Sequence, residues 1–220
     1  MKRSLASLVG VVALLCAALI AVAEYTGFTA KAYAMIESRY GASARMRAER
    51  WQQLMHRINT AGNYTDRQKI EAANDFFNEV RWVSDIEHWK KEDYWATPIE
   101  TLGTNAGDCE DFSIAKYFTL NELGIDNEKL RITYVKALDY NQAHMVLAYY
   151  PSPEAEPLIL DNINKRILPA SQRKDLLPVY SFNAKNLWLA KARNKRLKAD
   201  SQKNLPQWRQ VNERMLRELM

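Results

Sequence analysis

The sequence predicts an α+β domain: helices through its first half, antiparallel strands through its second, and a cysteine-headed helix where the two meet. Three observations predict it. Apolar residues recur at helical spacing across 43–58 and 66–80. The β-rich runs "RITYVKAL" (131–138), "HMVLAYY" (144–150) and "LILDNI" (158–163) are separated by the turn-prone "DYNQ" and "PSPEAEP". Between them, "GTNAGDCEDFSIAKYFTL" (103–120) sets Cys109 at the start of a helix. With 47% hydrophobic and 26% charged residues the 220-residue chain can bury a core, and it carries no repeat, so disorder and a solenoid are both disfavoured.

The first 23 residues are expected to lie outside the domain. Lys2 and Arg3 precede an apolar run from Leu5 to Val22 that ends in Ala21-Val22-Ala23, the basic, apolar, small-x-small order of a secretory signal peptide. The alternative is an uncleaved membrane anchor, since the run is nearly long enough to span. Either way the working domain is exported. Cys16 falls in that segment, which leaves Cys109 alone in residues 24–220; an exported chain usually pairs its thiols. Of the formal net charge of +5, Lys2 and Arg3 contribute two, and the mild remainder does not point to nucleic acid.

The helices follow in order. "SARMRAERWQQLMHRI" aligns Trp51, Leu54, Met55 and Ile58 on one stripe, and Gly62-Asn63 breaks it. Thr65 and Gln68 stand in capping-box positions, so a second helix starts near Asp66 and buries Ile70, Ala73, Phe76, Phe77 and Val80. Residues 84–104 lack a clean period and read as a long loop leading to the cysteine. "DCEDFSIAKYFTLNELG" is a helix with Phe112, Ala115, Phe118 and Leu123 inward and Gly124 as its stop. After the three strands, "VYSFN" (179–183) adds another, the domain 24–190 closes, and 191–220, with the basic cluster "KARNKR", reads as a helical tail with a solvated face open to an anionic membrane or acidic partner.

At a helix start, free N–H groups and the dipole favour a thiolate. Asp108, Glu110 and Asp111 oppose it, because clustered carboxylates raise a thiol's pKa. A hard divalent cation bound by those oxygens would cancel that repulsion. Of the three histidines, His144 alone follows the cysteine, at the head of an apolar strand. If 151–154 is a hairpin loop, Tyr150 faces Ala155 and His144 falls opposite Asp161, a charge that interrupts "LILDNI" and is costly unless paired. Nucleophile, base and orienting acid thus occur in the order Cys109, His144, Asp161, the constellation for acyl transfer. The Cys109 amide is one natural oxyanion donor, with a second expected from the 94–105 loop.

"YWATPIETLGTNAGDCEDFSIAKYFTLNELGI", with "HMVLAYY" and "LILDNI" after it, resembles the LapG family of bacterial transglutaminase-like periplasmic cysteine proteases over residues 50–190. The resemblance implies a papain/transglutaminase-like fold, with the triad on Cys109, His144 and Asp161, and calcium held by Asp108 and Glu110. Asp111 is left between ligand and first-turn acid. It also implies a substrate, the N-terminal region of a large surface adhesin cut at a di-alanine site to release cells from biofilm. The implied partner is an inner-membrane cyclic-di-GMP receptor that sequesters the protease. Two rival readings stand beside it: a transglutaminase-type acyl transferase using the same triad, and a non-catalytic calcium-binding module.

Overall fold

The computed structural model describes residues 27–189 and 196–219, with side chains over 27–189 and 200–218. The expected signal segment and residues 191–195 of the basic cluster lie outside the described residues.

Three helices open the described residues: α1 (Ala30–Tyr40), α2 (Ala42–Ala61) and α3 (Asp66–Phe77). The predicted α2 stripe is the buried one, with Trp51, Met55 and Ile58 at most 3% exposed, and Gly62 ends the helix in the left-handed region at φ 66°. The Thr65–Gln68 capping box forms reciprocally: the Gln68 amide donates to Thr65 Oγ1 at 3.3 Å and the Thr65 amide to Gln68 Oε1 at 2.9 Å.

The expected loop over 84–104 is corrected by the structure. It holds a single turn, α4 (Asp85–His88), and a helix, α5 (Pro98–Thr104). Thr97 and Glu100 make a second capping box, with the Glu100 amide donating to Thr97 Oγ1 at 3.1 Å, and Pro98 sits at the first helical position, where no amide is missed. Short strands β1 (Arg81–Trp82) and β2 (Ala106–Gly107) pair in parallel, Trp82 beside Gly107, and bring the 84–93 segment against the start of α6 (Cys109–Glu122). That helix is apolar on most sides, because it lies between the other helices and the sheet; Phe112, Ile114, Ala115, Tyr117 and Leu120 are all buried.

Seven antiparallel strands form the sheet: β3 (Leu130–Ala137), β4 (Gln142–Tyr149), β5 (Leu158–Leu160), β6 (Leu168–Pro169), β7 (Leu176–Phe182), β8 (Asn186–Leu189) and β9 (Arg196–Asp200), in the order β6-β5-β4-β3-β7-β8-β9. The β4–β5 register differs from the expected one. Ala148 pairs with Ile159 and Tyr149 with Leu158, so the connection is longer than 151–154 and the ladder ends at Leu160.

The C-terminal segment is also corrected. Its described part begins with strand β9, and α7 (Ser201–Asn204) and α8 (Pro206–Leu219) follow. Trp208 and Val211 of α8 are fully buried in the main core, where Trp208 meets Phe118 at 5.5 Å and Phe182 at 5.4 Å. What reads as a solvated tail is a packed element of the domain. Among the described residues no helix is long and apolar enough to cross a membrane.

Candidate active site

Asp108 is the N-cap of α6 and Cys109 its first helical residue. The turn is drawn tight by Asp111, fully buried, which accepts the Asp108 amide on Oδ2 at 3.2 Å and the Ala96 amide on Oδ1 at 2.7 Å. Gly107 is required beside it, since a Cβ there would stand 2.7 Å from Asp111 Oδ2. Asp111 thus ties the segment before α5 to the helix start.

The half-buried Cys109 thiol donates to Glu110 Oε2 at 3.0 Å. Burial pushes this thiol well above its ordinary value, and the charges of Glu110 and Asp108 push it further; the amide of Met145 in β4, hydrogen-bonded to the sulfur, works the other way. That amide belongs to the residue after His144, so the sulfur meets the backbone of β4 next to the position that carries the histidine.

His144 and Asp161 come together as the sequence predicts, by a different route. Asp161 lies one residue past β5, not inside a strand, and reaches diagonally so that Oδ1 stands 2.8 Å from His144 Nε2, both residues 2% exposed. The Ile163 amide donates to the same oxygen at 3.0 Å. Arg173, absent from the sequence reading, donates from Nη2 to Asp161 Oδ2 at 2.7 Å. Burial opposes ionisation of Asp161, but its bonds to His144, Ile163 and Arg173 outweigh burial and hold the carboxyl far below the usual carboxylate range. With Nε2 committed to the acid, Nδ1 is the imidazole nitrogen that remains for proton transfer. A helix-borne thiol, an imidazole and a fixed carboxylate in this arrangement can take an acyl group onto sulfur and pass it on.

A family model for bacterial transglutaminase-like cysteine proteinases matches residues 31–215. The chain belongs to this family. Solved structures of Legionella pneumophila LapG agree. One is 44% identical with a TM-score of 0.72, covering 84% of this chain and 94% of that one. An EGTA-treated form is 44% identical with a TM-score of 0.73, covering 84% and 96%. A calcium-bound form is 43% identical with a TM-score of 0.70, covering 84% and 97%. A comparison with curated protein sequences returned no match.

This cysteine proteinase carries an acid cluster wider than the sequence motif. Carboxylate oxygens of Asp85, Asp93 and Glu110 lie within 4.8 Å of one another, as do those of Asp85, Asp108 and Asp111. Asp85 Oδ1 and Asp108 Oδ1 are buried without a hydrogen-bond partner. Burial and then mutual repulsion push Asp85 up to about 6 and Asp108 up to about 8, and raise Glu110 as well. Orphaned buried oxygens, all from carboxylates, are a donor set that fits a hard divalent cation. Asp85 and Asp93 are missing from the sequence reading; the acid-rich "SDIEHWKKEDY" was their only local signal. The expected second oxyanion donor is not found among the amides of Tyr94, Ala96 and Thr97, which bond Asp85, Asp111 and Glu100.

Proposed function

We propose that this proteinase is an exported, calcium-dependent endopeptidase that uses Cys109, His144 and Asp161 as its triad. The observation that carries the reading is the 2.8 Å bond between the buried His144 and Asp161, with the thiol at the head of α6 bonded to the Met145 amide of the same strand β4. His144 takes the Cys109 proton as sulfur attacks the scissile carbonyl, and the Cys109 amide faces the developing oxyanion. The C–N bond then breaks, and the leaving amine takes the proton from His144. Water, deprotonated by His144, attacks the thioester and restores the thiol. Asp161 stabilises the imidazolium at each stage.

Asp85, Asp93, Asp108 and Glu110 would hold calcium, with Asp111 kept to the backbone amides it already accepts. The ion supplies positive charge that neutralises the carboxylates around the thiol. As a ligand to that ion, Glu110 would no longer accept the Cys109 proton, which would leave it to His144. A fit to calcium is supported by the all-oxygen cluster and by the likeness to a protein whose structure has a calcium-bound form.

The substrate in this reading is the N-terminal region of a large surface adhesin, cut at a di-alanine site in the periplasm to free cells from biofilm. An inner-membrane cyclic-di-GMP receptor holds the protease in reserve. The test mixes residues 24–220 with a tagged adhesin N-terminal fragment in calcium, in chelator, and with calcium restored. Cleavage that disappears and returns supports the whole reading. Cleavage indifferent to chelator leaves the triad and removes calcium; amine incorporation in place of cleavage turns the enzyme into an acyl transferase.

A further inference from the structure

One buried charge has no part in the mechanism above. Lys116 lies two turns along α6 from Cys109 and is 1% exposed. Its Nζ donates to Asn78 Oδ1 at 2.8 Å, to Asn74 Oδ1 at 3.0 Å and to the backbone carbonyl of Asp161 at 3.1 Å. An ammonium has three donors and no acceptor, so these oxygens saturate it; a neutral amine would turn its lone pair on one of them. The Asp161 carbonyl takes a second bond from Asn78 Nδ2 at 3.0 Å. The asparagines are anchored in turn: Asn74 Nδ2 donates to the Lys165 carbonyl at 2.9 Å, and Lys165 Nζ to the Asn78 carbonyl at 2.9 Å.

None of the three oxygens bonded to Nζ belongs to a carboxylate, so this is not an ion pair that happens to be buried. Burial pulls Lys116 down to about 7; the charges of Asp161 and Asp75 resist that fall, and Lys165 adds to it. Burying a cation is expensive, and a methionine would fill the slot without that cost. What the ammonium adds is direction, because it fixes the main chain where Asp161 leaves β5.

We propose that Lys116 is a positioning residue, clamping the Asp161 main chain to α3 and α6 so that the helix carrying the nucleophile also places the carboxylate behind His144. The inference rests on the triad reading. A displacement of about 1 Å in such a site costs about 100-fold in rate, and Lys116 makes the two ends of the triad share one rigid element.

The test is an NMR titration of His144 in the calcium-loaded full chain, in a Cys109→Ala background so that the thiol does not titrate with it. Lys116→Met should lower the proton affinity of His144 about tenfold, because the carboxylate beside it moves away. An unchanged titration makes Lys116 merely structural and overturns the proposal. A raised affinity means that the lysine acted only as a nearby cation, which also overturns it. Should Lys116→Met not fold, the wild-type ¹⁵Nζ signal below pH 6 decides: a slowly exchanging ammonium supports the clamp, and a rapidly exchanging one refutes it. Turnover by His144→Ala and Asp161→Asn, with Cys109 intact, separates the two readings. If either remains active the triad itself falls; if both are dead and His144 titrates normally in Lys116→Met, the clamp alone falls.

Discussion

Arg173 and Asp161 form a fully buried ion pair, Nη2 to Oδ2 at 2.7 Å, with side chains 2% and 0% exposed. Arg173 also holds Asp175, from Nη2 at 2.7 Å and Nε at 3.0 Å, so one guanidinium bridges Asp161 to the loop before β7. Each Asp161 oxygen therefore has a fixed partner, and the face offered to His144 is set.

Arg173→Met should uncouple that orientation. Removing one member of a buried pair leaves the other charge unpaired and costs about 3 kcal/mol or more, here moderated because Asp161 keeps His144 and the Ile163 amide. Urea unfolding should register the loss, and turnover per folded molecule should fall about tenfold or more. Wild-type turnover in the folded variant would reduce Arg173 to a structural bridge.

Gly107→Ala tests the helix start. The new Cβ would lie 2.7 Å from Asp111 Oδ2 and 2.8 Å from its Cβ, so Asp111 must leave the Asp108 and Ala96 amides. Overpacking combined with lost buried acceptors should cost about 2–3 kcal/mol. Thermal melting measures it; a change below about 0.5 kcal/mol would mean that the turn relaxes freely.

Local patterns made much of this molecule legible. The α2 stripe, the Thr65–Gln68 box, the cysteine-headed helix and the strand runs all depend on neighbours within a few residues. Cys109, His144 and Asp161 were each readable within their own runs, the first at a helix start and the other two along apolar strand patterns. Helix α5 was equally local, since Thr97-Pro98 with Glu100 is a capping box with proline at the first position, but aromatics before it obscured the period. The rest is set by distance. Asp85 and Asp93 reach the cluster through the parallel β1–β2 pairing, which no local window shows. Arg173 stands in the polar run "SQRKD" and reads as solvated until the fold closes over it. The β4–β5 register depends on a connection whose length the turn residues do not reveal, so the hairpin they suggest pairs His144 with Asp161 directly where the fold joins them on the diagonal.

Glu218 predicts a pH effect on stability. It accepts from Thr97 Oγ1 at 2.6 Å, joining α8 to the cap of α5. Burial raises it to about 7; the Thr97 bond and the charges of Arg39 and Arg214 pull it down, and Glu100 pushes it up. The folded chain thus holds a proton that the unfolded chain has already released above about pH 4.5, and stability from this group falls as pH rises from 4.5 to 7. Glu218→Gln should keep the Thr97 bond and gain about 1–2 kcal/mol over wild type at pH 8, with the difference gone below pH 4.5. A constant difference across that range would mean that Glu218 ionises normally.

Calcium should act on the sulfur itself. In the arrangement described, the Cys109 thiol donates to Glu110 and is surrounded by carboxylates that raise its pKa. Positive charge on those oxygens reverses the sign of their effect and favours the thiolate. Iodoacetamide alkylation of Cys109 at pH 7 should therefore run about tenfold or more faster with calcium than with chelator, without any substrate present. Asp85→Asn and Glu110→Gln each remove a charged oxygen ligand and should raise the calcium concentration at half-effect about tenfold or more. Asp111→Asn should chiefly destabilise the helix start, since its oxygens serve the Asp108 and Ala96 amides. If calcium leaves the alkylation rate unchanged while still raising the melting temperature, the ion is a structural staple, and the thiol must be activated by His144 and the Met145 amide alone.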